Sequence, residues 1–587
     1  MKNTLKSIIA TGKLVRSQLF YCLFLFLGLA ILNDAIIIPV FRLATTLILQ
    51  MAAIPLISYQ NIITILTAHP FAVLFMLLEL IALLLVIYFE FALMLWFIKD
   101  LLHGSLKDLK AQFKASFKNF HPTSLPLLLL YTLVILPFAS VFFRTPLLAK
   151  VKVPEFILSF LTKNPLYFTL MIVGWLLLAY LAFCWVLILP LMVLENLDTK
   201  SAFQRSWELT KKKRLPLLGK LILLTLFNTV LYFLLFGAGY IIQAIFDSWI
   251  KPAALPVAVV NLIVIQLGSE ILSIFSTVVA ISFLFPLLNV DEKIVTQDLE
   301  PSKKLKVGFT VIATLITLLF AANGLLYFTK FDQNKPLIIS HRGVSEENGV
   351  QNTLPALRAT STKLKPDYVE MDIHETKDGQ FVVMHDENYR VLTGVNKRPI
   401  DLTLAQATKL TAKENGHQAK VPSFSEYLKA ADQLHQKLLI EVKTTKYDSS
   451  DMLERFNKLY SATIIKHHHL IHSLDYNAVS TLKKLNPKLT VYYIQPYNFS
   501  YPNSVADGFS MEYSTLNDDF VIQAHLNNKP VFTWDMDEED SIMRMLYYGV
   551  DGLITDDVQL ARSVSKDYMN KTNYADQVLN FVAFNFS

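Results

Sequence analysis

The chain has 587 residues, more than one compact core normally holds, so at least two domains are expected. Its net charge of +6 does not indicate a nucleic-acid partner, because much of the positive charge lies in short loops between long apolar runs. The two cysteines, Cys22 and Cys184, lie inside such runs, which excludes disulfide and thiol chemistry from the polar remainder of the chain.

The chain before about Thr329 is dominated by apolar runs long enough to cross a bilayer as helices. Between the first two runs, residues 42–66 contain Gln50, Pro55 and Gln60, and we expect an interfacial or re-entrant segment there. This half is therefore predicted to be an all-α, multi-pass membrane domain with the lipid bilayer as its partner. Seven spans are predicted, at 18–40, 70–98, 125–143, 165–194, 216–244, 257–288 and 307–328.

Lysine and arginine placement predicts the orientation of these spans. Basic residues are frequent at the N-terminus, after the second and fourth spans, and before the seventh, so these segments are assigned to the cytoplasm. An odd number of spans then carries the rest of the chain to the extracellular face. The basic segment 144–163 fits less well, since it would lie outside. Acids within spans, such as Glu79 and Glu270, leave a transport or lipid pathway open, although interfacial positions or interhelical bonds are simpler explanations.

After Lys335, short β-type runs alternate with helix-like stretches. This alternation predicts a parallel sheet, and the length suits a closed (β/α)8 TIM barrel. The predicted division is therefore a membrane domain at 1–330, a barrel domain at 331–565 and a C-terminal tail at 566–587. The nine runs are 336–341, 368–373, 381–385, 437–443, 470–473, 490–494, 508–512, 531–534 and 552–555.

A (β/α)8 barrel has eight strands, so one of the nine runs does not belong to it, and the turn residues indicate which one. Only seven residues separate Ile373 from Phe381, and they include the hairpin signal Asp378-Gly379. A parallel crossover needs a dozen or more residues. The run 381–385 is therefore predicted to fold back as an antiparallel hairpin inserted beside the barrel mouth.

Carboxylates end several of these runs, where a barrel of this class has its active site. Glu370 and Asp372 are two residues apart, so both side chains leave one face of a strand, and Glu441 ends a later strand. Three converging carboxylates would repel one another without a cation. The sequence therefore predicts one divalent ion, Ca²⁺ or Mg²⁺, bound by Glu370, Asp372 and Glu441.

Four further polar residues are predicted to complete the site. His341 and His385 can act as an acid and base pair, because imidazole titrates near neutral pH. Arg342 and Lys443 can neutralise phosphate oxygens. Trp534 could form an apolar wall of the substrate site, and a core position is nearly as plausible.

The ordered series His341-Arg342-Gly343, Asn352-Thr353, Glu370-Met371-Asp372, Lys377-Asp378-Gly379, His385-Asp386, Glu441-Val442-Lys443 and Ile554-Thr555-Asp556 resembles the glycerophosphodiester phosphodiesterase family. The resemblance implies hydrolysis of glycerophosphodiesters to glycerol phosphate and an alcohol, with the glycerol hydroxyl as nucleophile and a cyclic phosphate intermediate. It also implies metal ligation by the three carboxylates, an acid and base pair of histidines, and a phosphate contact from Arg342. Residues 201–210 resemble a cytoplasmic motif of bacterial membrane domains, some of which are fused to such enzymes.

Some features depart from the family pattern or stay open. Gln351 stands where the family usually has Glu, which alters a supporting contact. The histidines at 467–469 with His472 could suggest a transition-metal site, although such a run is more often partly exposed at a strand entrance. His374 either lines the site or lies at an edge.

The expected substrates are lipid headgroups, deacylated phospholipids or polyglycerolphosphate polymers. Two other functions are considered beside this one. The first is a lipid-handling or transport protein with a substrate-binding barrel, and the second is a phospholipase D-like specificity.

Overall fold

The structure, a computed structural model, describes residues 2–52, 54, 62–103, 106, 109–118, 125–142, 153–211, 213–288, 300–329, 335–497, 501–570 and 573–586. The helices of the first part are α1 (Lys2–Ser17), α2 (Leu19–Leu32), α3 (Ile38–Met51), α4 (Ile62–Ala68), α5 (Pro70–Leu102), α6 (Leu109–Lys118), α7 (Leu125–Phe142), α8 (Glu155–Lys163), α9 (Pro165–Trp185), α10 (Ile188–Leu194), α11 (Thr199–Lys211), α12 (Arg214–Trp249), α13 (Lys251–Ser282) and α14 (Lys303–Thr329).

Within the described ranges, six helical segments are long and apolar enough to cross a membrane: Leu19–Met51, Pro70–Leu102, Pro165–Leu194, Arg214–Trp249, Lys251–Leu287 and Lys303–Thr329. Each overlaps a predicted span. The other predicted span, 125–143, falls on α7, an apolar helix of 18 residues. The first 329 residues therefore form a multi-pass membrane domain, and the total of seven spans stays a prediction.

The first span is longer than the sequence suggested. A π-helical turn at Asn33–Ile37 joins α2 to α3, so the helix continues to Met51. This wider turn precedes Pro39, which lacks an N–H and would collide with the carbonyl four residues earlier in a regular helix. Residues 42–51 are therefore helical and continuous with the first span, and their interfacial position stays a prediction. Polar side chains there have partners, since Thr45 Oγ1 donates to Glu79 Oε1 at 2.6 Å. Residues 53 and 55–61 lie outside the described part.

The second part contains strands at all nine predicted runs and two more within an insertion. They are β1 (Leu337–Ser340), β2 (Tyr368–Glu375), β3 (Phe381–Val383), β4 (Thr411–Glu414), β5 (His417–Lys420), β6 (Leu438–Val442), β7 (Leu470–Ser473), β8 (Val491–Gln495), β9 (Gly508–Glu512), β10 (Val531–Trp534) and β11 (Gly552–Thr555). Eight of them form a closed barrel in the order β1-β11-β10-β9-β8-β7-β6-β2, completed by a β1–β2 pairing and parallel throughout. The strand β3 pairs antiparallel with β2, as predicted.

Helices cover the outside of the barrel, and apolar side chains fill its base. The covering helices are α15 (Leu354–Lys363), α18 (Phe424–Gln433), α19 (Met452–Lys466), α20 (Tyr476–Leu485), α21 (Asp518–Leu526), α22 (Glu539–Tyr548) and α23 (Val558–Asn570). The short helices α16 (Arg390–Thr393) and α17 (Leu404–Ala407) belong to an insertion after β3, and α24 (Tyr574–Asn585) ends the described chain. The interior cluster consists of Ile339, Tyr368, Leu439, Tyr492, Phe532 and Ile554. This closed base leaves the carboxyl ends of the strands as the part of the interior open to polar groups.

The insertion after β3 contains a second hairpin that the sequence analysis did not predict. Its strands β4 and β5 are antiparallel, and the turn residues Asn415 and Gly416 have φ of 51° and 74°. Asn-Gly at such a turn is a strong hairpin signal, and it was available in the sequence. The insertion has its own small core, which includes Tyr389 and Val382.

The residues predicted as a C-terminal tail contain the end of α23 and the helix α24, which docks on the membrane domain. The Ala575 N–H donates to Asp247 Oδ2 at 2.7 Å, and Tyr327 Oη donates to the Gln577 carbonyl at 2.8 Å. Phe581 is buried in a cluster with Phe328 and with side chains of α13. The barrel is therefore fixed to α12, α13 and α14 rather than suspended on a linker.

Candidate active site

The first predicted histidine, His341, follows β1 and lies between two carboxylates. Its Nδ1 is 3.2 Å from Asp535 Oδ1 and 3.0 Å from Asp556 Oδ1. Burial and the neighbouring Arg342 favour the neutral ring, but Asp535 and Asp556 outweigh them and raise the pKa of His341 to about 10. This imidazole is therefore held protonated at neutral pH. Asp556 belongs to the motif Ile554-Thr555-Asp556 and was predicted without a role, whereas Asp535 was not predicted from the sequence.

The second histidine, His385, lies two residues beyond the end of the inserted strand β3. The Met384 N–H bonds to the Asp372 carbonyl at 3.0 Å, and His385 Nδ1 is 2.9 Å from Asp386 Oδ1. The buried His374 has its Nε2 3.2 Å from the His385 carbonyl, so it supports this segment from beneath. Burial, with Lys443 nearby, lowers the pKa of His374 to about 4, so the ring is neutral and can donate from Nε2.

The strand register brings three of the polar side chains into one row. Asp372 of β2 is opposite Glu441 of β6, which is opposite His472 of β7. Glu370 lies two residues earlier on β2, on the same face. One ligand atom each from Glu370, Glu441 and His472 lies within 4.8 Å of the others, and all three side chains are buried.

Asp372 is close by but is held by other partners. Asn352 Nδ2 donates to its Oδ2 at 2.8 Å, and Lys443 Nζ is 3.1 Å from its Oδ1. Burial opposes ionisation, but Lys443, His385 and Arg342 hold the pKa of Asp372 well below its usual range. The structure therefore brings together Glu370 and Glu441 with His472, and the role of Asp372 as a metal ligand stays a prediction.

Lys443 lies between two of the predicted metal ligands. Its Nζ is 2.9 Å from Glu441 Oε1 as well as 3.1 Å from Asp372. Although burial favours the neutral amine, Glu441 and Asp372 raise the pKa of Lys443, and burial raises that of Glu441. Lys443 and Arg342 only partly neutralise the three carboxylates Glu370, Asp372 and Glu441, and the remaining negative charge in this buried space is costly without a further cation. The donor set therefore fits one divalent metal ion.

Arg342 is aimed at the site by the residue that departs from the family pattern. The Arg342 N–H donates to Glu370 Oε2, and its Nη1 donates to Gln351 Oε1, both at 2.8 Å. Gln351 in turn donates from Nε2 to Glu414 Oε1 at 2.5 Å and from its backbone N–H to Glu414 Oε2 at 2.9 Å. Glu414, on the unpredicted hairpin of β4 and β5, thus places a negative charge next to Gln351, where the family usually has the charge at position 351 itself. Glu414 was not predicted as part of the site, because its position depends on the hairpin formed by the adjacent Asn-Gly turn.

The remaining candidates fall in different places. Trp534 ends β10 and packs, partly buried, above the apolar base of the barrel. His467 and His469 both contact Asp432, and His469 Nδ1 accepts from the Leu438 N–H, at the amino end of the strands. These two histidines therefore support the barrel at the end opposite to the carboxylates.

The membrane domain contributes to the rim of the barrel mouth. Arg42 of α3 forms an ion pair of 2.5 Å with Asp519 at the start of α21. The Glu155 N–H of α8 donates at 3.0 Å to Ser514, just beyond β9. Burial raises the pKa of Asp556, but His341, Arg342 and Lys163 of α8 together lower it below its ordinary value. The carboxyl ends of the strands are thus turned toward α3 and α8.

Comparisons with known proteins agree with this architecture. Residues 8–323 match the family model for the membrane domain of glycerophosphoryl diester phosphodiesterase, and residues 341–560 match that of the glycerophosphoryl diester phosphodiesterase family. The chain is 28% identical over 232 residues to a glycerophosphodiester phosphodiesterase of Caldanaerobacter subterraneus, covering 38% of this chain and 95% of that protein. It is 48% identical over 64 residues to human Lysophospholipase D GDPD1, covering 11% of this chain and 20% of that one.

Among solved structures, an Oleispira antarctica phosphodiesterase in complex with sn-glycerol-3-phosphate is similar at 20% identity with a TM-score of 0.35, covering 40% of this chain and 98% of that chain. The two family models together span both halves of the molecule. The chain therefore belongs to the glycerophosphodiester phosphodiesterase family and is a phosphoric diester hydrolase whose TIM barrel is fused to the membrane domain of that family.

Proposed function

We propose that this enzyme is a metal-dependent phosphodiesterase that hydrolyses glycerophosphodiesters at the outer surface of the membrane, releasing glycerol phosphate and an alcohol. The observation that supports this most is the pair of histidine–carboxylate contacts beside a buried carboxylate cluster at the barrel mouth. Candidate substrates are lipid headgroup-type diesters and glycerophosphate polymers. Ca²⁺ and Mg²⁺ are the ions that carboxylate ligands favour.

Glu370, Asp372 and Glu441 would hold the ion. When bound, it would supply positive charge next to the phosphodiester oxygens. Arg342 and Lys443 add positive charge at the same place, and both are fixed by carboxylate or amide partners before any substrate arrives. Such preorganised donors stabilise negative charge that develops on phosphate without reorganising during the reaction.

The two histidines would divide the proton transfers. His341, protonated between Asp535 and Asp556, is suited to give a proton from Nε2 to the leaving alkoxide. His385 directs Nδ1 to Asp386, which leaves Nε2 to remove a proton from the attacking hydroxyl. In the first step the glycerol hydroxyl of the substrate would form a phosphorus–oxygen bond to give a cyclic phosphate, while the bond to the leaving alkoxide breaks. In the second step water would form a phosphorus–oxygen bond while one ring bond breaks, with His341 taking the proton of the water and His385 returning a proton to the released glycerol hydroxyl.

The rim contacts support a substrate that reaches the site from the membrane surface. The seven predicted spans place the segments that contain Arg42, Glu155, Lys163 and Asp247 on the outer side, although the segment 144–163 is more basic than an outer loop usually is. These contacts come from different parts of the membrane domain, and the predicted spans place all of them on the same side of the membrane. They favour an extracellular barrel whose mouth lies near the lipid headgroups.

Phospholipase D-like cleavage of a lysophospholipid is a second candidate, because the same rim would let an acyl chain stay in the bilayer. The short match to human Lysophospholipase D GDPD1 points the same way. Product analysis separates the two. Full-length protein in nanodiscs would be given glycerophosphocholine, lysophosphatidylcholine or polyglycerolphosphate, and the released phosphate species would be identified by mass spectrometry.

We expect glycerol phosphate from a glycerophosphodiester, with activity lost in His385→Ala and retained in His467→Gln. A barrel that binds these compounds without turnover would support the substrate-binding alternative instead. Orientation is tested separately with Leu526→Cys, an exposed position on α21, in intact cells. Labelling by a membrane-impermeant maleimide is expected, and labelling only after permeabilisation would contradict the extracellular assignment.

A further inference from the structure

We infer that His472 is a nitrogen ligand of the metal ion, so that this site prefers manganese or a later transition metal to Ca²⁺ and Mg²⁺. The inference rests on the proposed metal dependence and adds a ligand to the three carboxylates. The residue is distinct from the histidines at 467–469, which lie at the other end of the strand.

The position of His472 in the barrel directs its ring at the cluster. It is opposite Glu441 in the parallel register of β6 and β7, so the two side chains leave the sheet on the same side. Its Nε2 is 3.6 Å from Glu370 Oε1, and the ligand atoms of all three residues lie within 4.8 Å of one another. At a ligand-to-metal bond of about 2.0–2.2 Å, two ligands of one ion are at most about 4.0–4.4 Å apart, so shifts of a few tenths of an ångström would bring the three atoms to one ion.

The absence of hydrogen-bond partners for the His472 ring nitrogens among the described residues supports their binding to a metal ion. His472 is only 3% exposed, and neither ring nitrogen has a hydrogen-bond partner within the described part of the chain. The 3.6 Å separation from Glu370 is too long for a hydrogen bond. Buried polar atoms are nearly always satisfied, so an imidazole left without partners beside two carboxylates indicates a group that binds between them.

The donor set then determines which ions are preferred. Carboxylates suit Mg²⁺, Ca²⁺ and Mn²⁺, whereas imidazole suits zinc, iron, nickel and copper. By the usual order of affinity for mixed nitrogen and oxygen sites, an added imidazole nitrogen strengthens the binding of Co²⁺ more than that of Mn²⁺, and that of the hard ions Ca²⁺ and Mg²⁺ least. His472 is thus the residue that would distinguish this site from an all-oxygen one.

The alternative is that His472 is protonated and simply balances the charge of Glu370 and Glu441. The two cases differ in a spectroscopic signature. A coordinated imidazole places ¹⁴N next to a paramagnetic ion, and pulsed electron paramagnetic resonance of bound Mn²⁺ detects the resulting nitrogen modulation. A protonated ring cannot bind the ion and gives no such signal.

The experiment uses full-length protein in nanodiscs, stripped with chelator and titrated calorimetrically with Mn²⁺, Co²⁺, Mg²⁺ or Ca²⁺ alone. We expect nitrogen modulation in the wild type and in the control His467→Gln, and its loss in His472→Gln. The same variant should lose at least about 10-fold in Mn²⁺ affinity while Ca²⁺ affinity changes little. Because glutamine is uncharged and similar in length, it keeps the site polar.

Wild-type protein that binds one Mn²⁺ without nitrogen modulation would overturn the inference, and so would an unchanged Mn²⁺ to Ca²⁺ affinity ratio in His472→Gln. Either result leaves metal dependence intact if chelator still abolishes turnover. Failure of the proposed function looks different: no ion binds the wild type, and turnover continues in chelator.

Discussion

The contact between Gln351 and Glu414 gives a prediction about the residue that departs most from the family pattern. Gln351→Glu would restore the family residue and bring a carboxylate to within 2.5 Å of Glu414 Oε1. The same change would place a negative charge at 2.8 Å from Arg342 Nη1. The attraction and the repulsion act over similar distances in similarly exposed surroundings, so they largely offset each other.

What remains is the hydrogen bond from Gln351 Nε2 to a charged acceptor, which a glutamate side chain cannot make. Hydrogen bonds to charged groups contribute about 1.5–3 kcal/mol, so we expect Gln351→Glu to lower the free energy of unfolding of the barrel by about 2 kcal/mol. Glu414→Gln should also be destabilising, because its amide oxygen can accept only one of the two hydrogen bonds from Gln351 and its NH2 group then faces the other donor. In the double variant, the amide introduced at position 414 can donate to the carboxylate introduced at position 351, so most of the loss should be recovered.

The assay is a double-mutant cycle measured by thermal unfolding of the full-length protein, with kcat/KM followed in parallel. We expect a coupling of about 1.5 kcal/mol or more, and a matching partial recovery of activity as Arg342 regains its support. Additive losses in the double variant, or a neutral effect of Gln351→Glu, would refute this account of the contact.

Three further predictions concern other parts of the molecule. In Asp535→Asn, the pKa of His341 should fall from about 10 toward its ordinary 6.5, so the alkaline limb of the kcat/KM profile should move to lower pH; an unmoved limb would contradict the pairing. Because folding raises the pKa of His341, the His341–Asp535 pair adds its full contribution to the free energy of unfolding below pH 6.5, and this contribution disappears as the pH approaches 10. In Asp535→Asn, unfolding measurements should no longer find this loss of stability between pH 6.5 and 10. Phe581→Ala should weaken the docking of α24 on the membrane domain by about 3–5 kcal/mol and reduce the hydrogen-exchange protection of α24. Turnover of a soluble diester should not change, and unchanged protection of α24 would argue against docking. Lys163→Glu should raise KM for substrates held in vesicles more than for glycerophosphocholine. Equal effects on both KM values would show that α8 has no part in the access of membrane substrates to the site.

The barrel could be predicted from the sequence because its signals are local. Each strand is a short apolar run, and Asp378-Gly379 identified the antiparallel strand that precedes His385. The polar residues at strand ends also follow from local pattern, because the carboxyl ends of barrel strands meet at one mouth. His341, His385, Glu370 and Glu441 are accordingly found at that mouth.

The contacts that the sequence did not yield depend on long-range geometry. Whether His472 faces inward depends on the register between β6 and β7, and the partnership of Gln351 with Glu414 depends on how the insertion packs. In the membrane half, Gln50 suggested an interruption, but the helix continues through it to Met51. The docking of α24 was missed for a similar reason, since Tyr327 lies 250 residues before its partner Gln577.

The most direct test of the proposed chemistry is turnover of a glycerophosphodiester by purified full-length protein, measured before chelation, after chelation and after return of a single divalent ion. We expect glycerol phosphate to form, to cease with chelator and to return with the ion, and we expect His341→Ala and His385→Ala to remain inactive throughout. Turnover that persists in chelator, or full activity in either histidine variant, would contradict a metal-dependent mechanism with these two residues as acid and base.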